Sequence, residues 1–175
     1  VKSGSFSIDQ GVGVRAVVGE KTAFAYSDEI SERALLDACA ATRTIARVGT
    51  GRIKVAGTTR PTGGRSLYLP HDPLASLDAT AKVKLLERVE KMARSKDPRV
   101  VQVMAGLAGE YDVVLVARSD GVLAADIRPL VRVSVTVIVE QDGRRETGSS
   151  GGGGRFDYAY FSDAVLEKYA DEAVQ

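Results

Sequence analysis

The chain has no tryptophan, one cysteine, one histidine and no excess of charge of either sign. A single cysteine, Cys39, excludes an internal disulfide and favours a reducing compartment. The 24 basic and 23 acidic residues leave a net charge of +1. That balance argues against a dedicated polyanion-binding protein, because affinity for phosphate backbones comes from an excess of lysine and arginine. No apolar run is long enough to span a membrane. We therefore expect a cytoplasmic protein that binds neither membranes nor nucleic acid.

The same shortages leave no complete catalytic or metal site. Zinc needs three or four histidine, cysteine or carboxylate ligands at fixed spacing, and this chain offers one histidine and one cysteine. His71 lies in a turn flanked by Pro70 and Pro73, where an exposed side chain is expected. Cys39 falls on the apolar side of a predicted helix, where we expect a small buried residue. No serine lies in a nucleophile elbow, so nucleophilic catalysis is not supported.

Alternating side chains predict a largely antiparallel sheet. Every second residue from Val131 to Val139 is valine, which indicates a strand with one buried face. Turn signals at Gly19-Glu20, Gly109-Glu110, Ser119-Asp120-Gly121 and Gln141-Asp142-Gly143 separate further strands. These strands are Gly11–Val18, Thr22–Tyr26, Val100–Leu107, Tyr111–Arg118 and Val122–Ile127, and a last strand runs into the glycines after Ser150.

Helical periodicity predicts three helices, which we place over residues 31–48, 78–95 and 161–174. The first carries Leu35, Cys39, Thr42 and Ile45 on its apolar side, and the second carries Leu85, Leu86, Val89, Met92 and Ala93. We expect the first two on one face of the sheet. The chain then has an α+β (α/β two-layer) fold, with a mixed, largely antiparallel sheet and helices packed on one face. We treat residues 1–175 as a single domain that is truncated at both ends.

Residues 49–76 are the least regular stretch. No acid occurs from Ala38 to His71, and the basic residues there include Arg43, Arg47, Arg52, Lys54, Arg60 and Arg65. The segment is either a patch for an anionic partner or a solvated surface loop. The absence of interleaved aromatic residues favours the solvated loop.

Four consecutive glycines, Gly151, Gly152, Gly153 and Gly154, follow Ser150 and precede Arg155 and Phe156. A phosphate-binding loop needs a following Lys-Ser or a G-x-G-x-x-G that opens a helix, and neither is present. Composition alone fits a flexible linker. The adjoining strand and Arg155 instead favour a surface that another backbone approaches closely, such as an extended peptide added at a sheet edge.

Four segments, 8–15, 19–26, 124–130 and 150–156, resemble the N-terminal part of proteins of the TldD/PmbA metallopeptidase family, also labelled modulators of DNA gyrase. In this sequence they read IDQGVGVR, GEKTAFAY, AADIRPL and SGGGGRF. The resemblance covers nearly the whole chain in order and spacing. It implies a cytoplasmic zinc peptidase that cleaves unfolded or extended peptides, with a TldE/PmbA-like partner subunit or as a homo-oligomer.

The resemblance also implies what the chain lacks. The family's metal motif, His-Glu-x-x-x-His with a later cysteine, lies in a C-terminal catalytic domain and has no counterpart here. No catalytic residue or metal ligand is therefore assigned to this chain. We expect a non-catalytic domain in which Gly151 to Gly154 and Arg155 lie near the substrate passage. The alternative is a binding module that regulates DNA gyrase through the basic segment from Arg43 to Arg65.

Overall fold

A computed structural model of the protein describes residues 3–46 and 67–175, which form five strands and three helices. The residues group into two compact units, Val1–Lys54 and Val55–Gln175. The expectation from the sequence is a single domain over residues 1–175. In chain order the elements are β1 (Val12–Val18), β2 (Lys21–Ser27), α1 (Glu32–Ala46), α2 (Ala79–Lys96), β3 (Val100–Ala117), β4 (Leu123–Gln141), β5 (Arg144–Gly154) and α3 (Asp163–Val174).

The first unit is a β-hairpin covered by one helix. Strands β1 and β2 pair antiparallel from Val12 opposite Ser27 to Val18 opposite Lys21, around the turn predicted at Gly19-Glu20. Helix α1 packs on both strands. The Ser31 hydroxyl, one residue before the helix, accepts from the Ala34 amide at 3.2 Å, as side-chain oxygens do at helix N-termini.

The predicted buried side of α1 is right at Thr42 and wrong at Leu35 and Cys39. Ala38 and Thr42 face the hairpin and are buried, whereas Cys39 is exposed and Leu35 is 41% exposed. Ala38 and, on β2, Ala23 are both buried small residues. The Thr42 hydroxyl donates to the Ala38 carbonyl at 3.0 Å, so its burial leaves no polar group unpaired. The side chain of Ile45 lies outside the described residues.

The second unit holds a three-stranded antiparallel sheet in the order β3-β4-β5. The predicted turn at Gln141-Asp142-Gly143 is confirmed, with positive φ at Asp142 (52°) and Gly143 (77°), as a tight two-residue hairpin requires. The turn at Ser119-Asp120-Gly121 is also confirmed, since it joins the end of β3 to the start of β4. Both described sheets are purely antiparallel.

The predicted turn at Gly109-Glu110 is wrong, because β3 runs straight through these residues. Gly109 lies opposite Val131 within one continuous ladder. A Cβ at Gly109 would overlap the Tyr158 hydroxyl and come within 2.9 Å of Leu74 Cδ2. This glycine therefore makes room for a neighbouring side chain instead of turning the chain.

The buried core of the second unit lies between the sheet and two helices. The alternating valines predicted to face inward do so, and Val131, Val133, Val135 and Val137 are at most 1% exposed. Helices α2 and α3 cover this face, and the residues that they and the preceding loop contribute are Leu85, Val89, Ala93, Tyr158, Phe161, Leu166, Tyr169, Ala170 and Ala173. The α+β class and the packing of helices on one face are confirmed for this unit.

The placement of the helices differs from the expectation in one respect. The first and second predicted helices do not share one sheet: α1 packs on β1 and β2, whereas α2 packs on β3 and β4. The helix that joins α2 on the larger sheet is α3, and Lys96 links the two. Its Nζ lies 2.6 Å from a carboxylate oxygen of Asp171 and 3.0 Å from one of Glu167.

Candidate functional site

The glycine run forms the last part of strand β5, so the flexible-linker interpretation is wrong. Gly151 lies opposite Ser134, and the pairing continues residue by residue to Gly154 opposite Val131. Each glycine thus takes part in a regular ladder with the central strand. The reason for the missing side chains must therefore be sought in the atoms that lie next to this strand.

One face of β5 lies so close to α3 that Gly148 and Gly152 have no room for side chains. A Cβ at Gly148 would overlap the backbone carbonyl of Ala173, and a Cβ at Gly152 would overlap the hydroxyl of Tyr169. Both contacts come from α3. The glycines therefore allow the helix to rest almost directly on the strand backbone.

At Gly151 and Gly153, the neighbouring strand β4 leaves no room for a side chain. A Cβ at either position would overlap a backbone carbonyl of β4, that of Val133 or of Val131. Gly151 also has a φ of 154°, which side chains rarely adopt. Packing within this chain thus explains why these two positions are glycine.

Arg155 is held at the point where β5 ends and β4 continues. Its Nη1 donates to the Pro129 carbonyl at 3.4 Å, and its guanidinium lies 5.6 Å from the ring centroid of Tyr68. A residue in a strand directs its N–H and C=O groups to the same side. Because proline has no N–H, the carbonyl is the one backbone hydrogen-bonding group that Pro129 offers on the side of Arg155. Arg155 thereby gives a hydrogen-bond partner to a carbonyl of β4 that lies beyond the end of β5.

Aromatic side chains surround the end of the glycine run, and only Phe156 among them stood out in the sequence. Phe156 stacks on Tyr160 with centroids 4.6 Å apart, and Tyr160 meets Phe161 edge-on at 5.4 Å. Phe156 is 48% exposed and Tyr160 40% exposed, whereas Phe161 is buried. The i, i+4 spacing of Phe156 and Tyr160 was the sequence signal for this ring pair. The two rings meet because a 3₁₀ turn, Tyr158–Tyr160, folds the segment back.

Two tyrosine hydroxyls below this cluster stay protonated at neutral pH. Burial raises the pKa of Tyr169, and Tyr160 raises it further through its charge and a hydrogen bond. Burial also raises the pKa of Tyr158, with a smaller contribution from the Asp72 carboxylate. Both groups therefore act as neutral hydrogen-bonding and packing groups and not as bases.

The outer edge of β5 is unpaired within residues 3–46 and 67–175. The sheet order ends at β5, and α3 packs on β5 and β4. Such an edge presents a row of backbone donors and acceptors that an extended chain can pair with. Its neighbours include Ser150, whose hydroxyl donates to a Glu172 carboxylate at 2.6 Å.

The two residues considered as metal ligands belong to different units. Cys39 is exposed on α1 in the first unit, and His71 is exposed in the second, just before a 3₁₀ turn, Pro73–Ala75. Over residues 3–46 and 67–175, no three histidine, cysteine or acidic residues are grouped so as to hold a metal ion. The described residues therefore do not fit a zinc centre.

The basic segment considered for an anionic partner lies almost wholly outside the described residues. Arg47, Arg52, Lys54, Arg60 and Arg65 fall there, whereas Arg43 is exposed in the last turn of α1. Within the described part of the chain, no helix is long and apolar enough to cross a membrane.

The fold and the glycine-rich edge strand define an α+β protein of two units, with no metal-binding group of side chains among the described residues. Two family models match it: the PmbA/TldA metallopeptidase domain 1 over residues 1–46 and the PmbA/TldA metallopeptidase central domain over residues 72–175. The chain therefore belongs to the TldD/PmbA metallopeptidase family, as the resemblance indicated.

Known relatives agree with this assignment. The chain is 46% identical over 165 residues to the metalloprotease TldD homolog of Haemophilus influenzae, a match that covers 94% of this chain and 34% of that protein. It thus spans about a third of the length of this curated relative.

Two crystal structures share the fold. One is a candidate modulator of a DNA gyrase from Thermotoga maritima, with a TM-score of 0.68, 14% identity and coverage of 94% of this chain and 37% of that one. The other is TldE from Thermococcus kodakarensis, with a TM-score of 0.61, 18% identity and coverage of 92% and 36%.

Proposed function

We propose that this chain is the non-catalytic N-terminal part of a TldD-like zinc metallopeptidase that cleaves unfolded or extended peptides. Family membership carries the proposal: both units match consecutive domain models of the family, and the curated relatives are metalloproteases by name. The chain would contribute part of the substrate passage and contacts to a second subunit.

Zinc, on this proposal, is bound by residues that do not belong to this chain. The described residues supply no ligand set, so no chemical step is assigned to them. What they offer is a rigid strand edge and an exposed aromatic pair. The chain alone is expected to be inactive.

The outer edge of β5, from Gly151 to Gly154, together with Arg155, is our candidate for the passage wall. An extended peptide satisfies its own backbone groups by pairing with a free edge, and such pairing is independent of the peptide's sequence. That property suits an enzyme that accepts unfolded substrates. Arg155 adds a positive charge where the edge ends, and Phe156 with Tyr160 adds an exposed apolar surface.

The test uses the full-length protein and hydrolysis of an unstructured peptide. We expect Arg155→Gln to lower kcat/KM severalfold while zinc content and thermal stability stay the same. Val165→Ala, a partly buried α3 position, serves as the control that perturbs the fold without touching the edge. Unchanged turnover in Arg155→Gln would contradict the passage role, whereas a peptidase-inactive full-length wild type would contradict the proposed function as a whole.

A bulky substitution in the glycine run is a less specific test, because Gly152→Val and Gly153→Val collide with Tyr169 and β4 respectively. Such variants are informative only beside a control of equal stability. A loss of turnover greater than in Val165→Ala at matched stability would support a passage role. An equal loss would assign the glycines to packing alone.

We also propose that the full protein works in the cytosol with a TldE/PmbA-like partner subunit or as a homo-oligomer. The similarity of fold to TldE supports this. The second candidate, a regulatory module acting on DNA gyrase, is favoured by the description of the Thermotoga maritima protein. Charge reversal at Arg52, Lys54, Arg60 and Arg65 separates the two, since it should abolish gyrase binding in a regulator and spare proteolysis in a peptidase.

A further inference from the structure

The outer parts of β3 and β4 form a two-stranded ribbon that extends beyond β5. Strand β5 pairs with β4 only from Val131 onward, whereas the β3–β4 ladder continues to Ala117 opposite Leu123. Residues 111–117 and 123–129 thus form a ladder with no third strand in the described part of the chain. We call this the ribbon.

The β3 side of the ribbon carries an exposed apolar run at a free edge. Val113 is 70% exposed, Leu115 66% and Val116 49%. No charge or proline occurs from Val113 to Ala117, although natural edge strands usually carry such residues to prevent pairing with other chains. Within residues 3–46 and 67–175, β4 is the only strand paired with β3. This edge is therefore suited to pairing with another strand.

The ladder fixes which backbone groups point outward. The Arg118 amide donates to the carbonyl of Val122 at 2.9 Å, and this pair belongs to the same register as Val116 opposite Ala124. In an antiparallel ladder such hydrogen-bonded pairs alternate with pairs that direct their N–H and C=O groups away. The groups of Val113, Leu115 and Ala117 therefore point to the free edge.

The charges that flank this run are arranged symmetrically about Leu115. Asp112 precedes it by three residues and Arg118 follows it by three. When a second copy of β3 lies antiparallel with Leu115 opposite Leu115, Asp112 of each copy faces Arg118 of the other. We propose that the ribbon is a self-complementary pairing surface, and that its occupant is the ribbon of a second copy of this chain.

The proposed register also satisfies the hydrogen-bonding pattern. Val113 then lies opposite Ala117 and Leu115 opposite itself, so every pair that must hydrogen bond consists of residues whose groups point outward. Asp112 and Arg118 fall in the alternate pairs, where side chains are closest. Arg118 already binds Asp120 at 2.5 Å, and its five N–H donors allow it to hold a second carboxylate.

The short contact sets the expected strength. Specific stable interfaces bury about 1,200 Å² or more in total, and a five-residue edge contact with two ion pairs falls below that. The 175-residue chain should therefore dimerise weakly and reversibly, so association is measured across a concentration series. This inference does not depend on the proposed peptidase function.

Disulfide cross-linking in a Cys39→Ser background tests the register. Leu115→Cys places two thiols opposite each other at about 5.5 Å between Cα atoms, within disulfide range. Val113→Cys, equally exposed, places them about 13 Å apart, because each is two residues from the symmetry axis. We expect mild oxidation to cross-link Leu115→Cys and a mixture of Val113→Cys with Ala117→Cys, but not Val113→Cys alone. Equal cross-linking of Leu115→Cys and Val113→Cys, or none of either, would overturn the proposal.

Charge variants give an independent test by sedimentation equilibrium. Asp112→Arg and Arg118→Asp should each weaken self-association on the order of tenfold, because both ion pairs become repulsive. Mixing the two variants should restore association, since each arginine then faces an aspartate. Glu146→Arg, an equal charge change on exposed β5, is the control and should leave association unchanged. A strictly monomeric wild type, or a mixture no tighter than its components, would refute the pairing.

Discussion

Substituting Gly152 by alanine tests whether the glycine run exists to admit α3. The new Cβ would lie 3.0 Å from Tyr169 Cζ and 3.4 Å from Cε1, and it would overlap the hydroxyl oxygen. Tyr169 is 8% exposed and belongs to the buried core, so its ring has little room to withdraw. Overpacking of this kind destabilises by about 1–3 kcal/mol, against roughly 0.4–1 kcal/mol gained from a stiffer unfolded chain. We expect a net loss of about 1–2 kcal/mol in the free energy of unfolding.

Removing the overlapping atom should recover most of that loss. Tyr169→Phe deletes the hydroxyl, at the expense of its hydrogen bond with Tyr160, and leaves Cζ as the nearest atom. In this background Gly152→Ala should be close to neutral, which gives a coupling of about 1 kcal/mol or more in a double-mutant cycle. Urea unfolding followed by far-UV circular dichroism measures all four proteins.

Gly153→Ala provides the matched control for this cycle. It lies on the same strand, but its Cβ would overlap the Val131 carbonyl of β4 instead of α3. Its destabilisation should therefore be the same in the wild-type background and in the Tyr169→Phe background. If the effects of Gly152→Ala and Tyr169→Phe add within about 0.5 kcal/mol, the close approach of α3 is not the reason for glycine at this position.

Two further predictions concern single residues. Arg99 lowers the pKa of Asp97 to about 2, chiefly through a side-chain hydrogen bond and also through its backbone amide. Because the folded-state pKa lies below the unfolded value of about 3.9, the ionised form contributes stability above about pH 4 that is lost as the pH falls toward about 2. The stability difference between wild type and Asp97→Asn should shrink over this interval in urea titrations, and a pH-independent difference would contradict it. Cys39, exposed on α1, should react with a thiol reagent in the native chain as fast as in urea, whereas protection until unfolding would support the buried position that the sequence suggested.

Local pattern was sufficient for much of the second unit. The valines of β4 alternate because side chains in a strand alternate, and four of the five proved fully buried. Asp142-Gly143 predicted a tight turn because few residues accept the positive φ it needs. Periodicity placed the start of α2 at residue 78, and the structure shows Asp78 capping this helix, with its carboxylate accepting from the Ala81 amide at 2.7 Å.

Packing between distant segments decided the features that the pattern misjudged. Gly109 reads as a turn in isolation, but it lies mid-strand because Tyr158, 49 residues later, occupies the space of its side chain. Cys39 and Leu35 look buried by periodicity, yet Cys39 is exposed and Leu35 is 41% exposed, whereas Ala38 is buried. Periodicity cannot decide between neighbouring positions on a helix, since that choice depends on the surface opposite.

The sequence by itself determined the α+β class, the family and the presence of an unusual glycine run. Only the tertiary structure showed that the run is a strand whose missing side chains make room for α3 and β4. It also showed that β3 and β5 each have an edge with no partner strand among the described residues, because a strand's sequence does not say how many neighbours it has. Backbone groups are alike in every residue, and their availability for pairing is decided only when the rest of the chain has packed around them.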